Sequence, residues 1–211
     1  MPLLASKVLQ SAGFAHAFPT RDVPDPELAS AVAGGGRIVQ VKQVHGARAV
    51  LAAESTGQEA DALVARAAGG TVAVGVRVAD CVPVLVASGA TGDVAAIHAG
   101  WRGVVGGVVA AGVKLLGGAE LVAAIGPCIG PCCFEVGRDV AAKIGFVARE
   151  QGDKAYVDLR AAVRAQLAAL GVARIDDVPG CTRHEPERFH SFRRDGADSG
   201  RMLAAIATRV R

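Results

Sequence analysis

Three apolar runs rich in valine stand close together between residues 70 and 99. They are GTVAVGVRVAD (70–80), VPVLVAS (82–88) and GDVAAIHA (92–99). Short runs of β-branched residues bounded by Gly, Pro and Asp are typical of strands, and Pro83 predicts a break in strand pairing at Cys81. The middle of the chain is therefore expected to form a β-sheet.

Other segments extend this strand prediction toward both ends of the chain. Residues 37–45 (RIVQVKQVH) alternate apolar and polar side chains before Gly46, a pattern typical of a half-buried strand. Residues 47–53 (ARAVLAA) are predicted as its hairpin partner. Residues 120–127 (ELVAAIGP) and 200–210 (GRMLAAIATRV) are predicted as two further strands.

Three segments have helical patterns. Residues 101–118 are predicted as one helix that Gly117 and Gly118 close, although each internal glycine weakens it by about 1 kcal/mol unless something packs closely there. Residues 136–150 are also predicted as helical. Residues 158–171 form the clearest amphipathic helix, with Asp158 at its N-cap and Gly171 at its end. Without internal repeats or linkers, residues 1–211 are expected to form one α/β domain.

Composition narrows the class of protein. Hydrophobic residues make up 51% of the chain and aromatic residues only 4%, so the core has to be built from Ala, Val, Leu and Ile. A net charge of +3, with no basic run carrying interleaved aromatics, argues against nucleic-acid binding. No signal peptide is recognised and no apolar run reaches the ~18 residues of a membrane span, so we expect a cytoplasmic protein with reduced cysteines and no membrane partner.

Three polar residues share one local setting, the end of a predicted strand followed by Gly or Pro. They are His45 before Gly46, Cys81 before Val82-Pro83, and His98 before Ala99-Gly100. Two imidazoles and a thiolate can form a three-ligand zinc site with an open fourth position. The same groups could instead serve as a Cys81 nucleophile with His98 or His45 as its base. Spacing alone leaves both chemistries open.

Several neighbouring residues have two interpretations. Asp80 is either a carboxylate that orients a ligand imidazole or an ordinary turn carboxylate. Trp101 is either an aromatic wall behind the site or the anchor of a helix start. Arginines near glycine, proline or aromatic residues either form an anion pocket or lie on a solvated surface; they are Arg21, Arg102, Arg193 and Arg194.

The segment GPCIGPCC (126–133) invites a metal-site interpretation, but adjacent cysteines rarely both reach one metal ion. We therefore predict a tight Gly-Pro loop of small buried residues. Cys181 is expected to be a packing residue, and His184 and His190 are expected on the surface.

A series of motifs in fixed order resembles the laccase-domain family, whose members are variously called multicopper polyphenol oxidases, purine nucleoside phosphorylases and peptidoglycan editing factors. The resemblance runs from about residue 37 to residue 205. The motifs are QVHG (43–46), ADALV (60–64), ADCVPVL (79–85), HAGWRG (98–103), IGPCIGPCCFEVG (125–137), VDLRAA (157–162) and FRRDGADSGRM (192–202).

The resemblance implies a single-domain, four-layer α/β/β/α fold with mixed sheets. It also implies one zinc ion held by His45, Cys81 and His98, with copper as an alternative metal. The implied activity is phosphorolysis of adenosine, inosine and methylthioadenosine, together with adenosine deamination. These residues and Asp80 would then be catalytic, and the four arginines named above would bind substrate or phosphate in a monomer or small homo-oligomer.

Three alternatives remain. A cysteine-dependent hydrolase or amidase of peptidoglycan editing would use Cys81 as its nucleophile. Copper-dependent phenol oxidation fits less well, because one Cys and two His make a single metal site. A non-enzymatic module would need a fourth protein ligand. The segment between FPTR and QVHG is shorter than the family pattern, without its Gly-rich, Asn-containing loop, so the resemblance predicts an altered substrate range.

Overall fold

The computed structural model describes residues 2–68 and 70–210 of the chain. Its strands are β1 (Leu3–Leu4), β2 (His16–Pro19), β3 (Ile38–Val39), β4 (Ala49–Leu51), β5 (Ala62–Ala65), β6 (Ala73–Val78), β7 (Val82–Ser88), β8 (Val94–Ala99), β9 (Leu121–Ile125), β10 (Glu135–Gly137), β11 (Val147–Gln151), β12 (Lys154–Val157), β13 (Arg174–Asp177) and β14 (Met202–Ala207). Its α-helices are α1 (Lys7–Ser11), α2 (Asp25–Ala33), α3 (Trp101–Gly106), α4 (Val108–Leu116), α5 (Arg138–Ile144), α6 (Leu159–Ala169) and α7 (Phe192–Asp195).

Two mixed sheets carry most of the strands. The six-stranded sheet has the order β13-β9-β7-β8-β5-β4, with parallel pairing only at its two ends. The five-stranded sheet has the order β1-β2-β14-β6-β3, with β14 in the middle. The Val-rich runs therefore do form strands, but β6 lies in the second sheet while β7 and β8 pair at the centre of the first.

The two sheets pack face to face, and helices cover both outer faces. Between the sheets lies a cluster of small apolar side chains from β5 to β9 and from β2 and β14, among them Leu63, Leu85 and Ile206. Helices α4, α5 and α6 cover the other face of the six-stranded sheet. Leu28 and Val32 of α2 cover the five-stranded sheet. The predicted four-layer α/β/β/α fold is confirmed.

The predicted hairpin over residues 37–53 is wrong. Only Ile38–Val39 pairs as a strand, in parallel with β6, and Ala49–Leu51 pairs with β5 in the other sheet. In the segment between β3 and β4, backbone groups pair with side chains instead of with a neighbouring strand. The Gln43 amide donates to the Arg77 carbonyl at 2.8 Å and accepts from the Arg77 N–H at 2.7 Å. The backbone that follows donates to the carboxylate of Asp61.

Two predicted helices are shorter than expected because glycines end them. The helix over residues 101–118 is divided at Gly107, which adopts φ +90° between α3 and α4. The helix over 136–150 stops at Ile144, Gly145 follows at φ +70°, and Val147–Gln151 then forms a small antiparallel sheet with β12 and β10. The helix over 158–171 is confirmed as α6, and the Asp158 carboxylate accepts the Ala161 N–H at 2.9 Å.

Within the described residues, every helix is too short or too polar to cross a bilayer.

Candidate functional site

The structure brings His45, Cys81 and His98 together, although His45 does not end a strand as expected, because β3 stops at Val39. One ring nitrogen from each histidine and the cysteine sulfur lie within 4.8 Å of one another. The two imidazole rings stand edge to face, with centroids 4.8 Å apart and an interplanar angle of 81°. His98 is buried on β8, Cys81 lies half-buried in the turn between β6 and β7, and His45 is exposed.

Two of the residues that shape this site have left-handed backbone conformations. His45 has φ +59° and Asp80 has φ +87°. Such conformations are uncommon for residues other than glycine and persist only where surrounding contacts hold them. They turn the chain sharply at His45 and just before Cys81.

Asp61 supplies those contacts for the His45 turn. Its fully buried carboxylate accepts the backbone N–H of His45 at 2.9 Å and that of Gly46 at 2.7 Å. It also accepts the Nδ1–H of His98 at 2.8 Å, which leaves Nε2 of His98 to face the cluster. Sequence reasoning assigned Asp61 no role. The available signal was an acidic residue directly before the apolar strand of the ADALV motif.

These contacts shift the pKa values of the site residues when no metal ion is bound. Burial by itself would raise the pKa of Cys81, but hydrogen bonds to His45 and His98 outweigh it and lower this pKa to about 7. Burial would lower the pKa of His98, whereas its hydrogen bonds to Asp61 and Cys81 raise it to about 9. The pKa of Asp61 falls despite burial, because His98 and backbone N–H groups stabilise the carboxylate. The cluster therefore favours a thiolate beside imidazolium.

Space beside the three ligand atoms depends on Gly100. A β-carbon at that position would lie 3.1 Å from Sγ of Cys81 and 3.2 Å from Cδ2 of His45. The clearance at Gly100 and a donor set of one thiolate and two imidazoles fit a divalent metal of the zinc type with a further position open to substrate.

The three cluster residues line a cavity of about 620 Å³. Aromatic and basic side chains contribute most of the wall. The lining includes Gln43, Arg77, Asp80, Trp101, Arg102, Ile129, Phe134, Phe192, Arg193 and Arg201. A cavity of this size suits a small molecule with an aromatic ring and a negative charge.

The four predicted arginines divide into two pairs. Arg102 and Arg193 line the cavity. Arg21 lies outside the lining and donates to the Pro186 carbonyl at 2.9 Å. Arg194 is also outside it, and its guanidinium is held by the carbonyls of Thr182 and Phe189 and by Asp195.

Two arginines that sequence reasoning missed also line the cavity. Arg77 bonds to Gln40 and forms an ion pair with Asp25. The guanidinium of Arg201 lies 5.8 Å from the ring centroid of Phe192. Arg201 lies within the FRRDGADSGRM motif (192–202), from which sequence reasoning selects only Arg193 and Arg194, and Arg77 lies just before the ADCVPVL motif (79–85).

Asp80 and Trp101 both line the cavity but have structural contacts as well. The Asp80 carboxylate accepts the Thr182 hydroxyl and the Arg193 N–H, each at 2.6 Å, so the carboxylate that orients an imidazole is Asp61. Trp101 begins α3 and packs against the core, and the Arg102 guanidinium lies 4.5 Å from its ring centroid. Both interpretations of Trp101 therefore hold.

Comparison with known proteins agrees with this architecture. The family model described as Multi-copper polyphenol oxidoreductase laccase matches residues 26–209. "Adenosine deaminase RL5" from an unknown prokaryotic organism is 43% identical over 162 residues, which span 69% of this chain and 61% of that enzyme. "Purine nucleoside phosphorylase YfiH" of Shigella flexneri is 38% identical over 179 residues, or 80% of this chain and 72% of that protein.

Solved structures share the fold over almost the whole chain. Neisseria meningitidis protein NMB0706 has a TM-score of 0.86 and 29% identity, with complete coverage of both chains. The Bacillus licheniformis hypothetical protein YfiH has a TM-score of 0.83 at 22% identity and covers 99% of this chain and 97% of its own.

Proposed function

We propose that this chain, which belongs to the multi-copper polyphenol oxidoreductase laccase family, is a zinc-dependent purine nucleoside phosphorylase that also deaminates adenosine. The names of its relatives support a nucleoside-processing role for the family. The observation that carries the proposal is that the His45–Cys81–His98 cluster lines the same cavity as Arg102 and Arg193.

His45, Cys81 and His98 would hold the zinc ion. When bound, zinc supplies a Lewis acid and lowers the pKa of a water molecule toward about 7, which is the chemistry that deamination of adenine requires. Asp61 keeps the Nδ1 proton on His98 and aims Nε2 at the cluster. Its bonds to the His45 turn hold the second imidazole in place.

The cavity wall supports phosphorolysis. In that reaction an oxygen of hydrogen phosphate attacks the ribose anomeric carbon while the bond from that carbon to the base nitrogen breaks, and the proton of the hydrogen phosphate passes to the leaving base. Arg193 and Arg102 can neutralise the phosphate and orient it, and a guanidinium suits such bidentate contacts. Trp101, Phe134 and Phe192 offer aromatic faces to the purine.

A second candidate is the cysteine-dependent hydrolase, and one observation favours it. Asp61 contacts His98, and His98 contacts Cys81. Burial raises the pKa of the Cys81 thiol, but the two imidazoles lower it to about 7. A nucleophilic thiolate needs that activation. The two candidates differ in their dependence on metal.

The deciding experiment measures zinc in the purified protein and then free base and inosine released from adenosine with phosphate present. We expect about one equivalent of zinc bound at this site, loss of both activities on chelation, and recovery when zinc is returned. Cys81→Ser and His98→Ala should abolish both activities and the zinc at this site. A protein that stays active after chelation but loses its activity on thiol alkylation would favour the hydrolase.

The phosphate site has its own test. Arg193→Ala should raise the KM for phosphate about 10-fold or more, the loss expected when one charge-assisted contact is removed. Arg21→Ala, outside the cavity, is the matched control and should leave that KM unchanged. Equal effects of the two substitutions would contradict the assignment of Arg193.

A further inference from the structure

A second group of metal-type ligands lies outside the site described above. Cys132, Cys133, Cys181 and His184 each place one sulfur or ring nitrogen within 4.8 Å of the others. We propose that these four residues bind a structural zinc ion. The sequence interpretation of a tight loop of small buried residues accounts for the buried Cys133 but not for the exposed Cys132, whereas His184 is exposed as expected. Adjacent cysteines rarely both reach one metal ion, but here the sulfurs of Cys132 and Cys133 both lie within 4.8 Å of the other two ligand atoms.

Two distances within the group agree with tetrahedral zinc. Sγ of Cys132 lies 3.7 Å from Sγ of Cys181 and 3.4 Å from Nδ1 of His184. With Zn–S about 2.3 Å and Zn–N about 2.0–2.1 Å, a tetrahedron has edges of about 3.8 Å between sulfurs and about 3.5 Å between sulfur and nitrogen. A disulfide would require sulfurs about 2.05 Å apart and would leave the imidazole and the third thiol without a role.

The loop that contains Cys181 and His184 has features of a metal-binding loop. Cys181 and His184 are three residues apart, a spacing that lets both side chains turn toward one ion. The Gly130 N–H donates to Sγ of Cys181 at 3.3 Å. Hydrogen bonds of this kind stabilise a sulfur as the thiolate that a metal requires.

The absence of a side chain at Gly130 leaves space beside the sulfurs of Cys132 and Cys181. A β-carbon on Gly130 would lie 3.2 Å from Sγ of Cys132 and 3.4 Å from Sγ of Cys181. The two loops are already joined by the backbone, because the Thr182 N–H donates to the Cys128 carbonyl at 3.1 Å. The ligand atoms are therefore positioned before any ion binds, and the exposed members give the ion a route from solvent.

The position of the group explains what such an ion would do. Ile129 and Phe134, on either side of the Gly130–Cys133 segment, line the cavity, and the Thr182 hydroxyl holds Asp80 at 2.6 Å. Four protein ligands leave no coordination position for substrate, so the ion would fix the two loops of the cavity wall rather than take part in chemistry.

The test is metal stoichiometry, which does not depend on activity. Protein stripped of metal under reducing conditions is titrated with Zn²⁺, and bound zinc is counted by mass spectrometry. We expect two equivalents for the wild type, one for Cys81→Ser, and one for Cys181→Ser. Co²⁺ bound to Cys81→Ser should still give thiolate-to-cobalt absorption in the near ultraviolet, and the Cys81→Ser, Cys181→Ser double variant should lose it.

Cys128→Ala is the matched control. Cys128 is buried, its carbonyl accepts a hydrogen bond from the Cys181 loop, and its sulfur lies outside the group, so this variant should keep two equivalents. If Cys181→Ser fails to fold, His184→Ala removes an exposed ligand and should weaken the second equivalent by at least about 10-fold. A single equivalent in the wild type that Cys81→Ser abolishes would overturn the proposal. So would reduced protein that binds no second ion and forms a Cys132–Cys181 disulfide once the reductant is removed.

Discussion

At the residue scale, one carboxylate fixes the geometry of both histidines in the first cluster. Asp61 is fully buried and accepts hydrogen bonds from the His98 ring and from three backbone N–H groups of the His45 turn, those of Val44, His45 and Gly46. Each of these donors would lose its partner if the carboxylate were replaced. Groups that orient metal ligands in this way commonly contribute 10–100-fold to metal affinity.

Asp61→Asn should therefore weaken zinc binding by His45, Cys81 and His98 by about 10–100-fold, because the amide NH₂ group faces donors rather than acceptors. Competition with a chromophoric chelator measures the affinity. Asp93→Asn is the matched control, since Asp93 is also buried and accepts a backbone N–H, from Ala67 at 2.7 Å. Asp93→Asn should lower stability yet leave zinc affinity intact, and equal losses of affinity in both variants would refute this role of Asp61.

His16 gives the protein a pH-dependent stability. Its Nε2 accepts the Ser6 N–H at 2.8 Å, so the proton resides on Nδ1, which donates to the Phe14 carbonyl at 2.8 Å. Burial lowers the pKa of His16 and outweighs the raising effects of Phe14 and Asp176. The folded state thus favours neutral His16, whereas the unfolded chain takes up a proton below its ordinary pKa of about 6.5.

The stability that neutral His16 contributes is present above about pH 6.5 and is lost as the pH falls below it. Between about pH 7.5 and about pH 5.5, the free energy of unfolding should drop by up to about 1 kcal/mol more in the wild type than in His16→Gln. Urea unfolding at both pH values measures the difference, and the other titrating histidines cancel because both proteins contain them. Identical drops would show that His16 takes no proton on unfolding.

The sequence predicts some residues of the site better than others. His45, Cys81 and His98 are recognisable because each ends a predicted strand shortly before Gly or Pro. Asp61 escapes this reasoning because its partners lie 16 and 37 positions away along the chain. The same limit applies to the arginines. Arg193 and Arg194 are neighbours in the sequence, and only the folded structure shows that Arg193 lines the cavity while Arg194 donates to the Thr182 carbonyl.

At the scale of elements, helix α3 packs directly against the His45 turn through a glycine. A β-carbon on Gly103 would lie 2.7 Å from the carbonyl oxygen of Gly46, a backbone atom that cannot rotate away. Gly106, in the same helix, would place its β-carbon 3.3 Å from the side chain of Ala47 and is exposed. These two glycines form a natural pair for comparison.

Gly103→Ala should lower the free energy of unfolding by about 1–3 kcal/mol, because overpacking outweighs the gain in helix propensity. It should also weaken zinc binding, since Gly46 adjoins His45. Gly106→Ala should stay within about 0.5 kcal/mol of the wild type. Denaturant unfolding and zinc titration test both expectations. A neutral Gly103→Ala variant would mean that the close contact between α3 and the turn is easily relieved.

Elements whose patterns are self-contained are predicted well. The helix over 158–171 carries its own cap and its own apolar face, and the Val-rich strands are apolar at nearly every position. The segments 37–53 and 136–150 are predicted poorly because their pairing depends on distant strands and on glycines at left-handed positions. Local propensity carries no information about which sheet a strand joins.

At the scale of the whole molecule, stability depends on a thin apolar layer between the two sheets. Its members are mostly Val, Ala and Leu, with Phe14 and Phe18 as the large side chains, so the contact between the two sheets depends on many small side chains that fill the layer together. The layer order itself followed from the family resemblance rather than from composition or periodicity.

Leu85→Ala should lower the free energy of unfolding by about 2–5 kcal/mol, because Leu85 is fully buried on central strand β7 and two rigid sheets cannot close on the cavity left behind. Leu115→Ala, at a half-buried position on α4, is the control and should show a smaller loss. Urea unfolding measures both. Similar losses would mean that the sheets adjust to fill the space.

Strand β14 lies between β2 and β6, although it follows both in the chain by more than a hundred residues. A ribosome delivers every strand of the six-stranded sheet by Asp177, whereas the other sheet lacks its middle strand until Ala207 has emerged. Until then the nascent chain carries two unpaired strand edges and an uncovered apolar face, the features that promote aggregation. The insertion of β14 thus ends the vulnerable stage of the protein's synthesis.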